Sequence, residues 1–324
     1  MSNISSNRIF INDVAVRDGF QIEPIFIPTE QKVSLINALS RTGLSKIEVT
    51  SFTSPQAIPA LADAEEVMKE IERLPDVIYT ALVPNMRGAH RALRCNADEL
   101  NLVMSVSETH NLTNLRMQRS QSFDQLAEVI AFAKSSDVLL NVSLSCCFGC
   151  PMEGDVPMKE VLRWAERFIE LGVDGITLCD TTGMAYPTQV RELCTAFREL
   201  WGNTELTLHF HNTRGMGLAN VLAAIEAGVN RFDASLGGLG GCPYAPGATG
   251  NICTEDLVHM LSLMGLNTGV DLDALLMCAR TLPSLVGHDI PGQTVKAGKV
   301  SDLHPPPAWF DEVAQRARVK ALQP

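Results

Sequence analysis

Residues 205–214 read ELTLHFHNTR. Leu206, Leu208 and Phe210 alternate with Thr207, His209 and His211. Successive side chains of a strand point to opposite faces, so this alternation predicts a strand with one apolar and one polar face. The apolar set then packs under flanking helices, and both histidines point the other way. One such histidine is most often a satisfied core or surface residue. Two on one strand face, followed at once by Asn212 and the glycine-bearing turn RGMG, point to metal ligation. The other ligands must come from elsewhere in the chain.

Outward from this strand, apolar β-branched runs alternate with helical patterns. Strands are predicted at 9–16, 46–51, 77–83, 99–106, 138–145, 175–179, 205–211 and 231–236. Helices are predicted at 29–40, 57–73, 86–95, 122–134, 159–171, 187–200, 218–227 and 254–263. Pro28-Thr29 and Tyr186-Pro187 read as helix starts, Gly43, Gly172 and Gly228 as stops, and Thr254-Glu255-Asp256 as a capping signal. Eight strands each followed by a helix is the count of an α/β fold of the TIM (β/α)8 barrel type. An open doubly wound sheet would use fewer repeats and a G-x-G-x-x-G turn, where this chain has Val16-Arg17-Asp18-Gly19-Phe20. Beyond residue 269, helical stretches at 272–282 and 308–322 continue without strands. The expected organisation is a barrel domain over 1–268 and a C-terminal helical extension, 269–324, packing on it.

Bulk properties fit that plan. The 324 residues hold one barrel of about 250 residues plus an extension. Net charge −11 argues against nucleic acid or an anionic membrane as partner. It leaves room for an anionic small substrate, since a few local cations or one metal reverse the field inside a cleft. Nine cysteines, an odd number without framework spacing, indicate a reducing cytoplasm. The start MSNISSNRIFIND has no secretory or transit pattern, and no apolar run approaches the roughly 18 residues of a membrane span. A cytoplasmic protein is expected.

In such a barrel, catalytic groups gather at the C-terminal ends of the strands. The first strand ends in Arg17-Asp18 with Gln21 beyond, and the second carries Glu48. The fifth ends at Ser145-Cys146-Cys147, the sixth at Asp180-Thr181-Thr182, and the seventh at His209 and His211. The eighth opens into GGLGGCPYAPGATGN, with Cys242 and Asn251. Asp18, His209, His211 and Asn251 make a mixed oxygen and nitrogen donor set suited to Mg²⁺ or Mn²⁺, with Zn²⁺ also accommodated. Taken singly, Asp18 reads as a solvated turn carboxylate and Asn251 as turn chemistry in a Gly-Asn loop. Convergence with the histidines favours ligation. Cys146, Cys147 and Cys150 lack a fourth thiol at matching spacing, so they read as small buried residues. Cys242, between glycines and a proline, reads as an exposed thiol acid or base.

At these residues the chain resembles the 3-hydroxy-3-methylglutaryl-CoA (HMG-CoA) lyase family of metal-dependent TIM-barrel lyases. The most specific segment is GGLGGCPYAPGATGNICTEDLVHML, and RDGFQIE, EVTSFTSPQAIPALAD, SLSCCFGCPMEG and CDTTGMAYP match further segments. The resemblance runs from Asp13 to Leu303. It implies cleavage of a 3-hydroxy-3-substituted glutaryl-type acyl-CoA into acetyl-CoA and a 3-keto acid. By similarity, Asp18, His209, His211 and Asn251 hold the divalent cation, and Arg17 stabilises the enolate oxygen of acetyl-CoA. Cys242 donates or shuttles a proton, with the proton acceptor open between Asp18 and His211. Glu48, Gln21, Asp180 and Glu255 are supporting polar residues. A homodimer is implied on the same ground.

Departures from the family pattern cluster near the expected substrate tail. His211 is followed by Asn212-Thr213-Arg214-Gly215-Met216 where the family reads HDTYGQ, and HNLTNLRMQRS (110–120) replaces a Lys-Asn-Ile-Asn-like stretch. Ile22 stands where Asn is usual, and Gln56 where Lys is common. In that 110–120 loop Arg116 and Arg119 are candidates for the CoA phosphates, with plain surface arginines as the alternative. HMG-CoA is the favoured substrate, with a longer-chain 3-hydroxyglutaryl-CoA or citramalyl-CoA as rival. More distant readings are a Claisen-condensing synthase of the isopropylmalate synthase type, a pyruvate aldolase, and a non-catalytic metal- or CoA-binding barrel.

Overall fold

The alternating pattern folds into a closed barrel of eight parallel strands in chain order, and the computed structural model describes residues 8–241 and 250–321. The strands are β1 (Phe10–Asp13), β2 (Lys46–Ser51), β3 (Ile78–Val83), β4 (Glu99–Ser105), β5 (Leu139–Ser145), β6 (Gly175–Asp180), β7 (Glu205–Phe210) and β8 (Arg231–Ala234). Pairing of β1 with both β2 and β8 closes the sheet. Around it run α1 (Thr29–Ser40), α2 (Ala64–Glu70), α3 (Met86–Arg94), α4 (Glu108–Leu115), α5 (Arg119–Ala133), α6 (Met158–Glu170), α7 (Pro187–Leu200), α8 (Gly217–Glu226) and α9 (Thr254–Leu263). Gly43, Gly172 and Gly228 follow α1, α6 and α8 with positive φ, the backbone that ends a helix without Cβ strain. Among the described residues no helix is long and apolar enough to cross a membrane.

The two faces of the strands differ in chemistry. Leu206, Leu208 and Phe210 of β7, like Ile176 and Leu178 of β6, are fully buried in the apolar layer under the helices. The lumen is polar. Lys46 of β2 donates to Glu99 of β4 at 2.6 Å and lies 3.5 Å from Glu205 of β7. These strands are not neighbours, so the contacts cross the lumen. Asn141 of β5 donates to Asn101 of β4 at 2.9 Å, and Asn101 donates to Glu48 of β2 at 2.8 Å. Branched aliphatic side chains ordinarily fill this space; here paired charges and amides fill it.

Several boundaries depart from the sequence-based expectation. β1 stops at Asp13, short of residue 16, because the Asp13 carboxylate accepts the Ala15 N–H at 2.9 Å and the Thr254 hydroxyl at 2.7 Å. The chain then enters a buried π-helical turn, Ala15–Gly19. The helix expected over 57–73 is a 3₁₀ turn, Pro59–Leu61, followed by the shorter α2. At that junction Asp63 is held by Thr29 at 2.8 Å and Lys32 at 2.6 Å. β8 ends at Ala234, since Gly237 at φ 68° turns the backbone. The 110–120 segment is largely helix, not loop. Ser107 caps α4 by accepting the His110 N–H at 3.1 Å.

Beyond the barrel, four helices among the described residues replace the two expected: α10 (Leu272–Ala279), α11 (Leu282–Val286), α12 (Thr294–Ala297) and α13 (Phe310–Ala321). α10 packs against α1 and α9. Asp256 of α9 accepts the Thr294 N–H at 2.6 Å, tying α12 to the same surface.

Burial raises the Glu99 carboxyl pKa, and Lys46 works against that rise. Lys46→Met should therefore cost about 3–5 kcal/mol, because it leaves Glu99 buried without its cation. Urea denaturation measures this. A loss below about 1 kcal/mol, the scale of an ordinary surface change, would show that the lumen pair does not hold the barrel.

Candidate active site

The π-helical turn after β1 carries Arg17 and Asp18 into the mouth of the barrel. Its widened geometry shows in the Val14 carbonyl, which accepts both Asp18 N–H at 2.7 Å and Gly19 N–H at 3.3 Å. Arg17 donates through Nε to Glu48 Oε2 at 2.5 Å and through Nη1 to Asp18 Oδ1 at 2.6 Å. Burial works against the guanidinium charge, but Glu48 and Asp18 outweigh it and push the pKa up. For Asp18, burial favours the neutral acid. Arg17, His209, His211 and the Asn251 hydrogen bond together bring its pKa down to about 2. Both groups are charged at any working pH.

Asp18, His209 and His211 are all buried, and one ligand atom of each lies within 4.8 Å of the others. The strand period places the two imidazoles together, as expected, with Nε2 to Nε2 at 3.2 Å. His209 Nδ1 faces Asp233 Oδ2 at 3.2 Å. That contact assigns the proton to Nδ1 and leaves the Nε2 lone pair toward the cluster, the arrangement by which a carboxylate orients a metal-binding histidine. Burial lowers the His209 pKa, but Asp233 and Asp18 more than reverse this and raise it.

Asn251 joins from the far side of the glycine loop through a backbone bridge to His211. Its Nδ2 donates to Asp18 Oδ2 at 2.6 Å and to the Leu239 carbonyl at 3.1 Å, while its Oδ1 is buried without a hydrogen-bond partner among the described residues. An orphaned amide oxygen beside a carboxylate and two imidazoles fits a divalent cation. Gly240, at φ 108°, permits the close approach. A Cβ there would meet Asn251 Nδ2 at 2.6 Å and Asp18 Oδ2 at 3.0 Å.

The cluster opens into a cavity of about 370 Å³ lined on one side by Arg17, Gln21 and both histidines. Gln21 Nε2 donates to Asp18 Oδ1 at 3.0 Å. Glu48 lies behind Arg17, between it and Asn101. Asp180 is buried and caps the turn after β6, taking Met184 and Ala185 N–H groups at 2.7 and 3.1 Å. Burial raises its pKa to about 6 despite those bonds, and it does not line the cavity. Glu255 accepts the Gly237 N–H at 3.0 Å and supports the glycine turn. Arg116 is exposed at the left-handed end of α4, one residue past cavity-lining Asn114 and Leu115. Arg119 is drawn away, to Glu108 at 2.7 Å and the Val106 carbonyl at 2.7 Å. Cys242 lies outside the described residues. Cys146, Cys147 and Cys150 are buried, and the only potential metal cluster among the described residues is the Asp18–His209–His211 group.

Asp233 and Asn101 were not anticipated. The β7–β8 register sets His209 directly opposite Asp233, so knowing that register would have revealed the carboxylate. Asn101 becomes visible only once β4 is known to face β2 across the lumen.

The HMGL-like family model matches residues 8–282. The hydroxymethylglutaryl-CoA lyase of Bacillus subtilis (strain 168) is 45% identical over 294 residues, 91% of this chain and 98% of that protein. An (R)-citramalyl-CoA lyase of Chloroflexus aurantiacus is 37% identical over 302 residues, 90% of this chain and 95% of that one. Among solved structures, an HMG-CoA lyase from Acinetobacter baumannii in complex with coenzyme A and 3-methylmalate matches with a TM-score of 0.91 and 52% identity, covering 95% of this chain and 100% of that one. The matched region holds the whole barrel together with Asp18, both histidines and Asn251, and the chain belongs to the HMGL-like family.

Proposed function

We propose that the chain is a divalent-metal-dependent carbon–carbon lyase that cleaves HMG-CoA into acetyl-CoA and acetoacetate. The observation that carries this reading is the buried Asp18–His209–His211 cluster sharing one cavity with the fixed Arg17 guanidinium. The relatives named for HMG-CoA cleavage, and the Acinetobacter complex with coenzyme A, support an acyl-CoA as substrate.

Cleavage breaks the C2–C3 bond. The C3 hydroxyl gives its proton to Asp18 or His211, and its oxygen becomes the ketone of acetoacetate. The bonding pair moves toward the thioester oxygen of acetyl-CoA, and C2 then takes a proton. A divalent cation held by Asp18, His209, His211 and Asn251 supplies Lewis acidity toward the hydroxyl. Oxygen and nitrogen donors suit Mg²⁺ or Mn²⁺, with Zn²⁺ accommodated. Asp18 stays ionised and so serves as a ligand. Arg17 supplies fixed positive charge for the oxygen that gains charge, and Glu48 and Asp18 hold it in orientation before substrate arrives. Gln21 stands at the same wall for the substrate's polar end. The family resemblance assigns the C2 proton to Cys242 and a homodimer to the assembly, and the odd cysteine count without framework spacing supports a cytoplasmic location. The citramalyl-CoA lyase relative favours one alternative substrate, citramalyl-CoA.

Acetyl-CoA release from HMG-CoA should vanish on chelation and return with Mg²⁺ or Mn²⁺. Silence on HMG-CoA with turnover of citramalyl-CoA would move the substrate assignment and leave the reaction class. Arg17→Met should lower kcat by at least about two orders of magnitude, the scale for loss of one preorganised donor. A drop under tenfold, with metal content unchanged, would remove the enolate role. Asp233→Asn should weaken metal affinity by about 10–100-fold, measured by competition with a chromogenic chelator. Unchanged affinity would mean that Asp233 does not orient His209.

A further inference from the structure

Among the described residues, no side chain of α13 is buried, whereas every other helix, down to the short α12, buries at least one. Just before and within α13, Trp309 is 60% exposed, Phe310 47% and Val313 49%. A helix of this length is marginal in water by itself and takes its stability from packing an apolar face. The helix also lies beyond the family match, which ends at residue 282.

α13 reads FDEVAQRARVKA. At 100° per residue Phe310, Ala314, Ala317 and Ala321 fall on one stripe, with Val313 at its border. Their spacing of four, three and four residues is the seam of a two-helix pairing. Glu312 and Arg316 lie on the opposite face and pair with each other. Asp311 and Arg318 stand on one border of the stripe, seven residues apart, too far to meet within the helix. Neither has an ion pair among the described residues.

A second copy of the helix, turned end for end, sets this stripe against itself. The border carrying Asp311 and Arg318 then meets the same border in reverse order, so each Asp311 faces the other copy's Arg318. The helix dipoles also oppose favourably. A parallel pairing would set Asp311 against Asp311 and Arg318 against Arg318. An anionic lipid surface fits less well, because two carboxylates stand among the three cations of the polar face. We infer that α13 pairs antiparallel with α13 of a second copy about a two-fold axis, with Phe310, Ala314, Ala317 and Ala321 in the seam. This pairing concerns the assembly alone and does not depend on the reaction.

Sedimentation equilibrium of the full chain at low salt measures the self-association constant. Ala317→Glu should weaken association by at least about thirtyfold, since it buries two facing carboxylates in the seam. Gln315→Glu, which adds the same charge to the outer face, should change it by less than about threefold. Asp311→Arg and Arg318→Asp should each weaken it by about five- to tenfold, as two ion pairs become two like-charge contacts. The double variant should return to within about twofold of the wild type. A wild type that stays monomeric, unchanged association in Ala317→Glu, or a double variant weaker than either single one would overturn the pairing. So would an Ala317→Glu variant that loses thermal stability, or binding to anionic vesicles, at an unchanged association constant. Those are the results for a helix docked on its own barrel or on lipid.

Discussion

A buried guanidinium that cannot give up its proton is the constraint from which the rest of the site follows. Removing the Arg17 charge from water is expensive unless anions face it, and Glu48 and Asp18 do so at 2.5 and 2.6 Å. Each carboxylate then has a second oxygen to satisfy. Asn101 answers for Glu48 and Asn251 for Asp18. Asn101 can offer its N–H₂ only because its own carbonyl is taken by Asn141 at 2.9 Å and Ser143 at 2.8 Å. One functional charge thus propagates a polar network down the lumen. This accounts for a barrel interior built of amides and ion pairs in place of aliphatic layers.

The backbone obeys the same demand. An ordinary strand running to residue 16 would carry Arg17 past the mouth. Asp13 instead stops β1 by taking the Ala15 N–H, and the π-helical turn folds Arg17 and Asp18 inward. On the opposite side Gly240 brings the loop after β8 against Asp18 where any side chain would collide. Asn251 is then delivered to His211 by a single backbone bridge. Elements far apart in sequence meet at one carboxylate, so the cluster exists only when the barrel is closed.

Much of this was legible in the sequence, and the limits have physical causes. The period of two on β7 gave the facing of His209 and His211 without any tertiary information, because a strand fixes side-chain direction locally. The strand count gave the barrel. Asp233 was hidden because its role depends on the β7–β8 register, which is not a local property. α4 was hidden because ETHNLTNL lacks a continuous apolar stripe and is started by its Ser107 cap. The departures after His211 prove to be structural ties. Asn212 accepts the Gly217 N–H at 3.0 Å, and Arg214 reaches the Gly183 carbonyl at 2.7 Å, bracing the loops after β6 and β7. Such ties leave the reaction class untouched.

The charge balance at the cluster fits a site for a cation. Asp18, Glu48 and Asp233 place three carboxylates around one guanidinium, all at or near the buried floor of the cavity. With neutral imidazoles the floor carries excess negative charge, and the raised His209 pKa expresses that imbalance. An acyl-CoA brings a carboxylate into this low-dielectric space, where repulsion is least screened. A dication at the candidate Asp18–His209–His211 cluster would offset that negative charge. The same three carboxylates thus fix Arg17 and orient His209 while leaving the floor of the cavity anionic.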